Sequence, residues 1–253
     1  MERWSNKVAV ISGASAGIGA ACCKALVTSG MLVVGLARRQ ELILKLKEEL
    51  PENLRNNLHA IRCDVTQEDQ VSQAFNWTQK HLGGCDVLIN NAGIIATTEL
   101  SQRKNTKEIK QTLDTNLLGT VFCTREAFHS MCTQKNGQGH IVIVNSIAGH
   151  QVPNLGPDLP SLNIYPATKF ALKAMNEIYR QEFQRHKTQV RVTTISPGIV
   201  DTDILPVDIL KVVKAMLPML KSSDVADAVL WALSTPPNVQ VHNITIKPMG
   251  EKF

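Results

Sequence analysis

Aromatic side chains are scarce in this chain: three tryptophans, two tyrosines and six phenylalanines among 253 residues. So few flat rings cannot build the stacking surfaces on which single-stranded nucleic acids are held. The net charge of +5 has no tract to carry it, because lysines and arginines are spread among acids along the whole length. That distribution lacks the clustered basic face of a nucleic-acid partner. The six cysteines, Cys22, Cys23, Cys63, Cys85, Cys123 and Cys132, follow no Cys-x-x-Cys or Cys/His spacing. Most lie in apolar segments, so the expectation is reduced thiols acting as small buried hydrophobes and no bound metal. No apolar run approaches the ~20 residues that span a bilayer, and residues 1–7 carry no apolar signal core. A soluble, cytoplasmic protein with no stable membrane insertion is expected. Linkers rich in Pro, Gly or Ser, internal repeats and low-complexity stretches are also missing. Residues 1–253 therefore read as one domain, long enough to bury a full core.

What is present is an alternation of short β-rich runs with longer amphipathic stretches. Strands are expected at 7–12, 31–36, 58–63, 87–90, 140–145, 190–196 and 239–246, and helices near 18–29, 39–50, 67–81, 106–133, 166–186 and 223–233. Several runs are apolar throughout, as when helices cover both faces of a parallel sheet. The pattern predicts an α/β fold: a Rossmann-type, doubly wound domain with a seven-stranded parallel sheet and right-handed helical crossovers. Its first half, about 1–145, is expected to bind a dinucleotide, and about 146–253 to hold the catalytic groups and substrate loops.

The first expected strand runs into Gly13, Ser15, Gly17, Ile18 and Gly19, where a helix begins. Glycines there allow a tight turn and close backbone approach to a pyrophosphate, and the helix N-terminus aims N–H groups at the anion. The Gly-x-x-x-Gly-x-Gly spacing differs from the commoner Gly-x-Gly-x-x-Gly, so its position after a strand carries the argument. At the end of the second strand stand Arg38 and Arg39, with no carboxylate to bind ribose hydroxyls. Guanidinium groups suit a phosphate, which favours NADP over NAD. The plainer alternative is two solvated residues opening a helix, where cations oppose the dipole. Asp64, followed by Val65, closes the third strand. It could accept from an adenine amine or serve as a local cap or turn.

Tyr165 and Lys169 stand at i and i+4 of an expected helix and share a face. A phenol with a pKa of about 10 is a poor base at neutral pH, and a nearby ammonium should lower that value. On its own the pair could equally be an aromatic anchor beside a solvated lysine. Ser146 follows a buried strand, at the carboxyl edge where such sheets bind ligands, and could donate to a substrate oxygen or simply form a turn. Asn116 sits in a helical pattern where its propensity is poor. A kink held by a side-chain hydrogen bond, compatible with anchoring a water chain, is expected there.

Taken together, the glycine run from Ser12 to Gly19, the segment Asn90, Asn91, Ala92 and Gly93, then Asn116, Ser146, Tyr165-x-x-x-Lys169, and Pro197-Gly198 with Thr202 resemble the short-chain dehydrogenase/reductase family, in family order along essentially the whole chain. The resemblance implies Tyr165 as general acid/base, Ser146 as donor to the substrate oxygen, and Lys169 as tuner of Tyr165 and ligand of the nicotinamide ribose. It further implies Asn116 as holder of a proton-relay water, Asn90 to Gly93 as the border of the adenosine, and Ile199 and Thr202 as neighbours of the nicotinamide carboxamide. Ser12 replaces the usual threonine. Ala16 replaces a basic residue often found in NADP-using members, leaving 2′-phosphate recognition to Arg38 and Arg39.

A narrower likeness, in 1–4, 33–39, 146–153 and 244–249, points to a branch whose substrates include terpenoid alcohols such as farnesol and ketosteroids. The stretch between Ser146 and Tyr165 is longer than usual in the family and combines three prolines with apolar residues, which suits a stiff loop over a greasy site. Residues 204–218 read as an amphipathic lid helix bounded by prolines, or alternatively as a helix packed on the core. With Ile94, Ile95, Leu155 and Leu159 near the expected mouth, the substrate should be a lipophilic alcohol or carbonyl compound. A ketosteroid or other carbonyl reductase and a non-catalytic NADP-binding regulator are the alternatives. The pair of long helices at 106–133 and 166–186 implies, by family analogy, a homodimer or homotetramer.

Overall fold

A computed structural model describes residues 1–154, 156 and 159–251; Leu155, expected at the pocket mouth, lies outside them. Seven strands form one parallel sheet: β1 (Val8–Ser12), β2 (Leu32–Ala37), β3 (Leu58–Arg62), β4 (Val87–Asn90), β5 (Gln138–Val144), β6 (Gln189–Pro197) and β7 (Asn243–Ile246), in the order β3-β2-β1-β4-β5-β6-β7. Between them run α1 (Gly17–Thr28), α2 (Gln40–Glu48), α3 (Glu68–Leu82), α4 (Thr106–Leu113), α5 (Gly119–Gln134), α6 (Tyr165–Arg185), α7 (Val207–Met216) and α8 (Ser222–Ser234).

The apolar strands fill two cores because successive side chains point to opposite faces. On β1, Ala9 and Ile11 join one cluster with Cys22, Leu26, Ile43, Val225 and Val229 from α1, α2 and α8. Val8 and Val10 join the other with Val71, Phe75, Cys123, Met131 and Leu172 from α3, α5 and α6. On β5 the same alternation sends Val142 and Val144 one way and Ile141 and Ile143 the other. Five of the six cysteines are buried, and burial raises the thiol pKa of Cys22 to about 12. Among the described residues no helix is long and apolar enough to cross a membrane.

Two expectations need correction. The last strand begins at Asn243 and not at 239. The carbonyls of Val239 and Val241 accept from the Arg191 guanidinium (2.9 Å) and the Thr193 hydroxyl (2.7 Å), so side chains of β6 take bonds that a longer strand would give to a ladder. The helix expected over 106–133 is interrupted by a π-helical turn at Asp114–Leu118 that divides α4 from α5.

Because all seven strands run parallel, the loops after β1, β2, β4, β5 and β6 share one carboxyl edge, and the order of winding reverses between β1 and β4. That is the edge where open α/β sheets bind ligands.

Candidate active site

One cavity of about 440 Å³ follows that edge. At its centre the loop after β1 passes under the first turn of α1. Ala16, the residue preceding the helix, offers no side-chain cap, so among the described residues the N-cap leaves the first backbone N–H groups without its usual acceptor. Gly17 adopts φ +54°, where a Cβ would meet the Thr202 side chain, and a Cβ on Gly19 would run into the carbonyl of Gly13. The loop thus presents bare backbone at a helix N-terminus, a cradle of the kind that holds a pyrophosphate.

The loop is fixed from β4. Ser12 Oγ accepts from the N–H groups of Asn91 (3.0 Å) and Ala92 (3.1 Å), and Asn91 Nδ2 donates to the carbonyls of Ser12 (3.0 Å) and Gly13 (3.1 Å). Serine therefore retains the hydroxyl function at this position. Gly13, Ser15, Gly17, Ile18, Asn91, Ala92 and Gly93 line the cavity; Gly19 does not and supports the loop from behind. Arg38 and Arg39, both exposed, line it where β2 ends, alongside Asp64 and Val65. Asp64 also forms the turn that was its alternative reading: Oδ1 accepts from the N–H (3.0 Å) and the hydroxyl (2.9 Å) of Thr66.

Beyond β5 lies the polar corner. Ser146 leaves the strand in extended conformation, and its Oγ accepts from Ala148 N–H at 3.1 Å. Tyr165 opens α6, with Pro166 in the helix's first turn. Its approach is set by Asn163, at φ +50°, whose amide donates to the carbonyl (2.8 Å) and hydroxyl (2.9 Å) of Thr98 and whose Oδ1 accepts from Ile164 N–H (2.7 Å). Nothing in the sequence marked Asn163, because its partner lies far along the chain. Ser146 hydrogen-bonds the Tyr165 phenol, and Lys169 Nζ lies 5.4 Å from the tyrosine ring centroid and donates to Val144 O at 3.0 Å.

The electrostatics of this corner differ from expectation. Burial pushes the Tyr165 phenol up to about 12, with the Ser146 hydrogen bond opposing, and pushes Lys169 down to about 8. Desolvation penalises both charged forms and outweighs the help that the ammonium was expected to give the phenolate.

Asn116 lies inside the π turn and is buried. Its Oδ1 accepts from Ile94 N–H (2.9 Å), and its Nδ2 donates to Ile94 O (3.1 Å) and Thr168 Oγ1 (3.1 Å). The local irregularity that was the plainer reading of Asn116 is present as this π turn. The side chain ties the loop after β4 to α6 and does not itself line the cavity, whereas Thr115 does. Asn145, which the sequence suggested only as a strand end, also lines the cavity, and both polar atoms of its buried amide lack a partner among the described residues.

The remaining wall is mostly apolar, with the exposed Asp203 also on it. Ile94, Ile95, Leu159 and Leu162 meet Ile204, Leu205, Ile209, Val213 and Leu217 from α7 and its flanks, and Pro197, Gly198, Ile199 and Thr202 connect that wall to β6. The helix expected at 204–218 forms over 207–216 and turns one apolar face inward. An ion pair from Lys214 to Asp201 (2.7 Å) and the backbone bond from Leu220 N to Ile199 O (2.8 Å) tie it to the end of β6.

Known proteins share this layout. The chain is 48% identical over 253 residues to a farnesol dehydrogenase of Aedes aegypti, with all of both chains covered. It is 38% identical over 255 residues to dehydrogenase/reductase SDR family member 11 of Bos taurus, covering 98% of each. An alcohol dehydrogenase of the archaeon Thermococcus sibiricus, solved with 5-hydroxy-NADP, superposes with a TM-score of 0.81 at 25% identity, over 97% of this chain and 98% of that one. The short chain dehydrogenase family profile matches residues 7–208, and the chain belongs to that family of oxidoreductases.

Proposed function

We propose that the protein interconverts a lipophilic alcohol and its aldehyde or ketone with NADP, a terpenoid alcohol such as farnesol being the substrate that fits best. The observation that carries this reading is the continuity of one cavity from Arg38 and Arg39, after β2, through Ser146, Tyr165 and Lys169 to the apolar wall of α7, after β6. A charged end suits a 2′-phosphate, and a greasy end with few polar groups suits an isoprenoid or steroid skeleton better than a polyol. The identity to a farnesol dehydrogenase supports the same choice.

NADP supplies the hydride acceptor for oxidation and, reduced, the donor for the reverse direction. The Tyr165 phenol, the form that burial favours, gives its proton to the carbonyl oxygen in reduction and, as phenolate, takes it from the alcohol in oxidation, and Ser146 donates to the substrate oxygen as its charge changes. Lys169 holds positive charge near the phenol and stands where it can reach the ribose. Asn116 keeps the loop after β4 in register with α6, beside any water chain that carries the proton onward. Exposed Ala167, Phe170, Ala174 and Ile178 make an apolar stripe along α6, which supports a homodimer or homotetramer through this face. Light scattering should give a multiple of the chain mass, falling to one chain in Phe170→Asp/Ile178→Asp.

The test is nicotinamide absorbance with farnesol, geraniol, a ketosteroid and a polyol, each with NADP and with NAD. Turnover of the isoprenoids with NADP is expected. Arg38→Ala/Arg39→Ala should weaken NADPH binding roughly 100-fold and leave NADH binding nearly unchanged. Equal loss for both cofactors would sink the assignment of these arginines, and turnover of the polyol alone would overturn the lipophilic pocket.

A further inference from the structure

After β7 the chain turns back beneath the end of β6. There Glu251 buries its carboxylate, with a side chain only 1% exposed. Oε2 accepts from Ile199 N–H at 3.3 Å, and Oε1 lies 3.2 Å from Lys247 Nζ. A buried carboxylate is costly unless its partners compensate it. Here Ile199 N–H serves Oε2 and the Lys247 ammonium pairs with Oε1, and the carboxylate packs against Gly198, where a Cβ would displace it and press on Pro248. Three hydrogen bonds hold the Gly198-Ile199 turn. Gly198 N donates to Ile246 O (2.7 Å), Ile199 O accepts from Leu220 N (2.8 Å), and Ile199 N donates to Glu251. The first two are backbone to backbone; the third depends on one side chain. Gly198 and Ile199 line the cavity, whereas Glu251 does not.

From this arrangement we infer that Glu251 is a positioning residue, bracing from outside the cavity the turn against which the reacting end of the dinucleotide lies. The inference rests on the NADP reading above. It makes the segment after β7 part of the cofactor site and gives Gly198 a side-chain neighbour outside the cavity.

The measurement is fluorescence titration of NADPH, beside titration of 2′,5′-ADP, which reports only the Arg38/Arg39 end. Glu251→Ala should raise the NADPH dissociation constant about tenfold and leave 2′,5′-ADP binding and the melting temperature near wild type. Glu251→Gln, whose amide oxygen can still accept from Ile199 N–H, should recover most of the loss. Gly198→Ala should weaken NADPH binding similarly, and adding Glu251→Ala to it should cost little more, because both changes remove the same contact. Equal weakening of both ligands with a fall in melting temperature would mean a merely structural role and overturn the inference. So would unchanged or tighter NADPH binding in Glu251→Ala while the wild type binds both ligands. A wild type that binds neither ligand would overturn the NADP reading first, and this inference with it.

Discussion

Tyr165→Phe is expected to lower the turnover number by at least ~100-fold, and by up to ~10⁴, the range that a positioned proton-transfer group contributes. The phenylalanine ring fills the same buried site above Lys169 and keeps the helix start, so NADPH binding should stay within about twofold of wild type. The missing atom is the one that Ser146 hydrogen-bonds, and its loss should cost no more than ~1 kcal/mol of stability. Single-turnover kinetics beside a binding titration separate these effects. Turnover near wild type in Tyr165→Phe would remove Tyr165 from the acid/base role, whatever else the cavity does.

Lys169→Met should do something rarer, destroying activity while stabilising the fold. The unfolded chain holds the Lys169 proton up to its ordinary pKa of 10.5, and the folded chain only to about 8. Between those values the unfolded state binds more protons, so wild-type stability rises with pH across that window. Below pH 8 the full cost of the buried ammonium is present, about 3 kcal/mol at 1.36 kcal/mol per unit. Methionine removes the charge and keeps most of the volume, but forfeits the hydrogen bond to Val144 O. A net gain of ~1–2 kcal/mol, or several degrees of melting temperature, should appear at pH 6–7 and fade by pH 10.5. Melting curves at several pH values check it, and a variant less stable than wild type at pH 6 would show that the ammonium is not a burden to the fold.

The strands and the glycine loop were legible because their signals are local. Uninterrupted apolar runs, and a turn that only small residues can make, need no knowledge of the rest of the chain. Ser146, Tyr165 and Lys169 were legible as types in a spacing, but the direction of the Tyr165 shift was not, since desolvation depends on what packs around the phenol. Asn163 and Glu251 stayed hidden because their partners, Thr98 and Ile199, lie 65 and 52 residues away. The late start of β7 was hidden for a related reason: Arg191 and Thr193, on the neighbouring strand, claim the carbonyls that an alternating pattern assigns to a ladder.

The π turn at Asp114–Leu118 behaves as an insertion frozen into a helix. A π turn closes its hydrogen bonds over five residues and an α turn over four, so deleting one residue there would let the turn close as ordinary helix and leave α5 at nearly the same angle to α4. Cys123, Ala127 and Met131, which face the sheet, would stay on it, whereas a deletion within α5 would swing the residues beyond it by about 100°. This turn is therefore the place in the joined α4 and α5 where a one-residue shortening should keep the core, while moving Asn116 from the bonds it makes to Ile94 and Thr168.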